Sequence, residues 1–134
     1  MNFASYEDML KYVFNLEGYT QYLDYNRDFE WFEGEYGLKN KSICISYNGV
    51  DSSQSLENSF NALVDENIVV YIKSNKGLDS VRDAAKNAIQ NTQTSIRVSD
   101  IAISIEFTGG TLERSTQDNT VLVYVLNFSI MTAW

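Results

Sequence analysis

The chain has 134 residues, 44% of them hydrophobic, enough for one domain (1–134) with a real core and too apolar for disorder. It carries 18 acids against 10 bases, a net charge of -8, and contains neither histidine nor proline. The missing histidine excludes Ser-His and Cys-His nucleophiles and nearly all zinc sites, and the acidity argues against binding in a nucleic-acid groove.

In chain order, residues 5–17 are expected to form an amphipathic helix. Tyr6, Met9, Leu10, Val13 and Leu16 recur at the spacing of one helical face. Ser5 suits the N-cap, Glu7 and Asp8 suit the positive first turn, and Gly18 suits a left-handed residue after the last turn. "YTQYLDYNRDFEWFEGEYG" follows, with five acids and one Arg between Asp24 and Glu35. Phe29, Trp31 and Phe32 do not share one strand face, and the segment reads as a loop entering a short strand near 28–33.

"KSICISYNGVDSS" places Ile43, Ile45 and Tyr47 on one face and Ser42, Cys44 and Ser46 on the other, the period of a half-buried strand. Asn48-Gly49 is expected to end it with a turn. Cys44 reads as a small buried hydrophobe, reduced and unpaired. Residues 55–64 fit a helix through Leu56, Phe60, Leu63 and Val64, or a strand through Phe60, Ala62 and Val64. The strand is preferred for 58–64, because Asp65–Asn67 resembles a three-residue turn into "IVVYIKS". That run is apolar on both parities, as in a strand covered on both faces.

Residues 78–91 read as a second helix, with Leu78, Val81, Ala84, Ala85, Ala88 and Ile89 in one stripe. Asp79–Arg82 and Asp83–Lys86 are expected to form local i, i+3 pairs. "SDIAISIEF" alternates, with Ile101, Ile103, Ile105 and Phe107 expected inward. "TGGTLERSTQDN" is expected to be an exposed connection in which Gly109 and Gly110 supply a turn. The last stretch, "NTVLVYVLNFSIMTAW", is apolar on both parities from Val121 to Leu126 and alternates from Asn127. That is the pattern of an interior strand losing cover on one face. The expected fold class is α+β: one antiparallel-dominated mixed sheet of five or six strands with two helices packed on it.

Little in this sequence suggests catalysis. Glu30, Glu33 and Glu35 could be drawn as a glycosidase pair, but any acidic chain offers such pairs. Asp65-Glu66 lacks the spaced oxygen ligands of a calcium loop, and "TGGT" has neither the helix nor the Lys-Ser/Thr of a phosphate loop. No enzyme activity, cofactor or metal is therefore expected. No apolar run approaches the ~20 residues of a membrane span, and "MNFASYEDML" lacks the pattern of a secretory signal, so the expected compartment is the cytoplasm. The acid excess is uneven: residues 1–67 hold 12 acids against 4 bases, and residues 68–134 hold 6 of each. A solvated face accounts for it, as would a wall past which DNA slides without sticking.

The order of pieces resembles the small tail terminator (tail completion, neck) proteins of tailed bacteriophages. The likeness lies in the N-terminal helix, the strand "ICISYNGV", the strand "IVVYIKS" entering "GLDSVRDAAKNAI", and the close "ISIEFTGG…LERS…TVLVYVLNFSI". It is a likeness of apolar spacing and turn placement over about residues 43–130. It implies a virion structural protein that forms a homo-oligomeric ring, usually a hexamer, at the head-proximal end of the tail tube. There it would stop tube growth and join tail to neck or connector, with DNA passing through the lumen without specific binding. The partners implied are other copies of this chain, the tail tube protein and a neck or connector protein. Assembly would take place in the host cytoplasm, without a membrane.

The candidate subunit or tube contacts are Trp31, Phe32, Leu112, Arg114, Met131 and Trp134. Asp28, Glu30, Glu33 and Glu35 are the candidate acidic lumen or rim. Met131 and Trp134 either fold back on their own helix or reach a neighbour, and deleting 129–134 is expected to weaken assembly while the subunit stays folded. The competing readings are another tail or connector component (a tube subunit or stopper), an acidic binding or inhibitor module, and an enzyme using carboxylates or tyrosine.

Overall fold

The structure, a computed structural model, describes residues 3–35, 41–55, 62–95, 101–116 and 120–134. The first helix, α1 (Tyr6–Val13), starts where Ser5 Oγ accepts the Asp8 N–H at 3.1 Å. Glu7 and Asp8 occupy its first turn, and Met9, Leu10 and Val13 are its buried face. It is shorter than expected. Gly18, at φ +81°, turns the chain into strand β1 (Thr20–Tyr25).

The aromatic and acidic stretch departs from expectation. Its strand comes early, as β1, and the residues expected as a strand near 28–33 form a helix, α2 (Phe29–Glu35). Asn26, at φ 52°, reverses the chain, and Asp28 Oδ1 accepts the Trp31 N–H at 2.8 Å, which caps the helix. The mixed parity of Phe29, Trp31 and Phe32 is thus a helical pattern, in which Phe29 and Phe32 share a face one turn apart.

Strand β2 (Lys41–Ser55) does not stop at Asn48-Gly49. Gly49, at φ +93°, lies in a register shift between Tyr47 and Val50, and the strand continues beyond this bulge. Asp65–Asn67 is likewise not a turn. It lies inside β3 (Ala62–Ser74), paired with Ser129–Met131. Of the strand expected over 58–64, residues 62–64 belong to β3, and 56–61 lie outside the described residues. Helix α3 (Leu78–Ser95) extends past the expected Asn91. Val81, Ala84, Ala85 and Ala88 are buried as expected, but Leu78 is half exposed. Among the described residues neither Arg82 nor Lys86 forms an ion pair, so the two local pairs do not close.

Strand β4 (Ala102–Arg114) overturns the expected loop, because "TGGTLER" is strand. It forms a hairpin with β5 (Leu122–Ala133), closed by the Ser115 N–H on the Val121 carbonyl at 3.0 Å. Register shifts between Ala102 and Ser104 and between Phe107 and Gly109 break the alternation, which leaves Ile103 exposed rather than inward. Gly109 and Gly110 supply no turn. They sit opposite Asn127 and Leu126.

The five strands lie in the order β1-β2-β3-β5-β4, with β1–β2 parallel and every other pair antiparallel. This is the expected α+β mixed sheet. On one face α1 and α3 bury Met9, Val13, Phe14, Val81 and Ala88 against Ile43, Ile45, Ile68, Ile72, Leu126 and Phe128. The third helix, α2, covers the other face, where Phe32 packs among Cys44, Val69, Tyr71 and Val123. Cover on both faces is why "IVVYIKS" and "VLVYVL" are apolar on both parities.

Candidate functional site: the assembly surfaces

Among the described residues the sheet is open, and its two outer strands are β1 and β4. β1 is six residues long and β4 thirteen. β4 leaves large apolar side chains in solvent: Ile103 is 52% exposed, Leu112 41% and Phe107 38%. An edge strand with exposed apolar residues is a template for association unless something covers it. Leu112, an expected contact, is therefore on an accessible edge. Arg114 is exposed at the end of the same strand. Phe107 leans on Phe128 at a centroid distance of 5.5 Å. It also belongs to the floor of a groove of about 610 Å³ between α3 and the β5–β4 hairpin. Tyr124, Leu126 and Gly110 complete the floor, and Arg82 and Lys86 stand on the α3 wall.

The end of β5 is held by a hydrogen-bonded chain. Trp134 exchanges backbone bonds with Ala62 at 2.9 and 3.2 Å, and its indole N–H donates to Thr132 Oγ1 at 3.1 Å. The Thr132 hydroxyl donates to Glu66 Oε2 at 3.1 Å, and the Tyr47 hydroxyl donates to Glu66 Oε1 at 2.6 Å. Glu66 is a buried carboxylate, and these two hydroxyls satisfy both of its oxygens. The Tyr6 hydroxyl is buried beside this group, outside hydrogen-bonding geometry, and its ring meets Tyr47 edge-on at 5.7 Å. Burial, then the Glu66 carboxylate, hold the Tyr6 phenol well above the ordinary tyrosine pKa. Burial and the hydrogen bond to Glu66 push Tyr47 up to about 12.

Trp134 is therefore anchored to the sheet, not folded onto a helix, while its ring remains 61% exposed. Met131 is half-buried opposite Asp65 and Ser104. Ile130 and Thr132 are buried, so removing 129–134 takes away core. The expectation that the truncated subunit stays folded does not survive this placement.

Asp28, which caps α2, and Glu30, in its first turn, are both exposed. The backbone of Glu33 and Glu35 is in α2, but their side chains lie outside the described residues. Trp31 is half-buried beneath the Arg27 guanidinium, 4.3 Å from its ring centroid, and Arg27 also reaches Asp24 at 3.3 Å. Phe32 is 1% exposed and stacks on Tyr71 at 5.2 Å, so its surface is used within its own subunit. The Tyr71 hydroxyl donates to the Arg27 carbonyl at 2.9 Å, and burial, followed by the nearby Asp28 charge, pushes its pKa up to about 12. Beyond the expected residues stands Tyr25, 54% exposed at the end of β1, whose hydroxyl donates to Glu7 on α1.

Cys44 is buried and forms no disulfide. Among the described residues no three His, Cys, Asp or Glu side chains are grouped to hold a metal ion, and no described helix is long and apolar enough to cross a membrane. Of the exposed apolar residues of β4 the sequence points to Leu112 as a contact, but not to Ile103 or Phe107, nor to the groove, and it reads Glu66 as part of a turn. The two bulges and the long reach of β3 place them, and neither follows a period that a sequence displays.

No protein-family model and no curated protein matches the chain. Among solved structures it is similar to a chain from the virion of a native gene transfer agent particle, at 12% identity and a TM-score of 0.45. That match covers 83% of this chain and 78% of the other. A likeness at that level defines neither a family nor a task.

Proposed function

We propose that this chain is a virion structural protein that assembles with copies of itself into a ring at the head-proximal end of a phage tail tube. There it stops tube growth and joins the tail to the neck or connector, and DNA passes through without specific binding. No catalytic role is part of this reading. The observation that carries assembly is the β4 edge, unpaired among the described residues, with Ile103, Phe107 and Leu112 exposed. An apolar open edge of this length is costly to leave free, and a ring of identical subunits covers it once per copy without leaving an end. The place in the virion rests on the sequence resemblance.

The test is mass in solution combined with images of negatively stained protein, alone and mixed with tail tubes. Discrete rings that sit on tube ends support the reading. Long tubes of uniform diameter would make the chain a tube subunit instead. A strict monomer at high concentration that ignores tube ends overturns the proposal.

A further inference from the structure

We infer that the groove between α3 and β4 is the acceptor half of the subunit interface, and that its occupant is the β1 edge of a second copy of this chain. The inference rests on the ring reading and adds to it which surfaces meet. Three observations carry it.

The first is charge. The chain carries -8 overall, yet the described residues lining the groove include Arg82 and Lys86 and no carboxylate. Among the described residues neither cation has an ion-pair partner within its own subunit. Two free cations in an acidic molecule are complementary to the rest of that molecule.

The second is where the acids lie. β1 and β4 stand at opposite ends of the strand order. On the face that carries both α1 and α3, the β1 end presents Glu7 and Asp8, both exposed on α1, with Tyr25 beside Glu7. A second copy displaced along the strand order therefore brings its acidic end to the cationic groove of the first. This contact is heterologous and repeats from copy to copy, the kind that closes into a ring.

The third is apolar fit. The groove floor is Phe107, Tyr124 and Leu126. Tyr25 is an aromatic residue more than half exposed, with a hydroxyl already oriented by Glu7. Tyrosine on an apolar floor with a charged rim is a common interface anchor.

The test compares sedimentation of the wild-type chain with that of Arg82→Glu/Lys86→Glu, and of the same variant carrying Glu7→Lys as well. All three positions are exposed, so far-UV circular dichroism and the melting temperature serve as checks on folding. The groove variant is expected to raise the subunit dissociation constant about tenfold or more, and Glu7→Lys in the same chain is expected to recover part of that loss. A wild-type chain that never associates overturns both this inference and the ring reading. Rings of unchanged stability in the groove variant overturn the inference alone. Rings that persist but no longer cap tail tubes also overturn it, and assign the groove to the tube protein.

Discussion

Gly110 is the position where reading "TGGT" as a turn and finding it in a strand give opposite signs. A Cβ built on Gly110 would lie 2.7 Å from the Val125 carbonyl oxygen and 3.0 Å from Leu126 Cδ2. The nearer obstacle is backbone of the neighbouring strand and cannot rotate aside, so Gly110→Ala must push β4 away from β5. Overpacking of this kind costs about 1–3 kcal/mol. Unfolding entropy of about 2.1 cal/mol/K per residue gives roughly 0.28 kcal/mol/K for a chain of this length, so the melting temperature should fall by about 4–11 °C. In a free turn the same substitution would stabilise by about 0.4–1 kcal/mol, by narrowing the unfolded ensemble. The assay is thermal unfolding followed by circular dichroism, with exposed Thr111→Ala as the neighbouring control. An unchanged or raised melting temperature for Gly110→Ala would refute the close β4–β5 approach and return "TGGT" to a loop.

Removing either donor to the buried Glu66 carboxylate should destabilise by about 1.5–3 kcal/mol. Urea midpoints for Tyr47→Phe, Thr132→Val and the double variant check this, and the double should fall short of additivity because one acceptor is shared. Phe32→Ala should cost about 3–5 kcal/mol as a core truncation; if the loss appeared only in association and not in subunit stability, Phe32 would be an interface residue after all. The buried phenols give the pH dependence. Tyr71 and Tyr47 are raised from an ordinary 10.0 to about 12 in the folded state. The folded state thus holds these protons more tightly than the unfolded state, so their contribution is complete below pH 10 and is lost as pH rises toward about 12. Urea midpoints across that window should fall, and Tyr71→Phe should flatten part of the fall.

The elements that were legible in the sequence share one property: a single period runs through them without interruption. α1, the core of α3, the Ile68–Ser74 run and the interior of β5 are of this kind, and the doubled parity of "IVVYIKS" announced cover on both faces. The errors fall where local chemistry and tertiary pairing disagree. Asn48-Gly49, Asp65–Asn67 and Gly109-Gly110 all carry turn residues, and all three lie within long strands. The first sits in a bulge. Asp65–Asn67 pairs with β5 along its whole length, and its Glu66 is satisfied by Tyr47 and Thr132, 19 and 66 residues away in sequence. Turn propensity is local, whereas the pairings that overrule it are not. The helix at 29–35 was missed for the opposite reason, since seven residues hold too few turns for a period to show. The expected contacts divide in the same way. Leu112, Arg114 and Trp134 are exposed, whereas the aromatic character that selected Phe32 is what buries it.

The open edge and the groove have one origin. α1 lies toward β1 and β2, and α3 lies over β3 and β5 and reaches β4 only in part, so cover on that face thins out across the last strand. Phe107 and Leu112 point to this face, because they pair with Phe128 and Tyr124, which belong to the core cluster beneath the helices. Among the described residues Phe107 and Leu112 are left partly without cover along β4. In the proposed ring, what covers these residues is constrained by charge as well as shape. On this face the β4 side carries Arg82, Lys86 and Arg114, and the β1 side carries Glu7 and Asp8 against Lys11. A two-fold dimer that joined β4 to β4 would cover the apolar residues but bring like charges together, at a cost that grows as the contact dries. Joining β4 to the β1 side of the next copy covers the same residues and pairs opposite charges. The asymmetry across the strand order thus favours a directional, repeating contact over a symmetric pair.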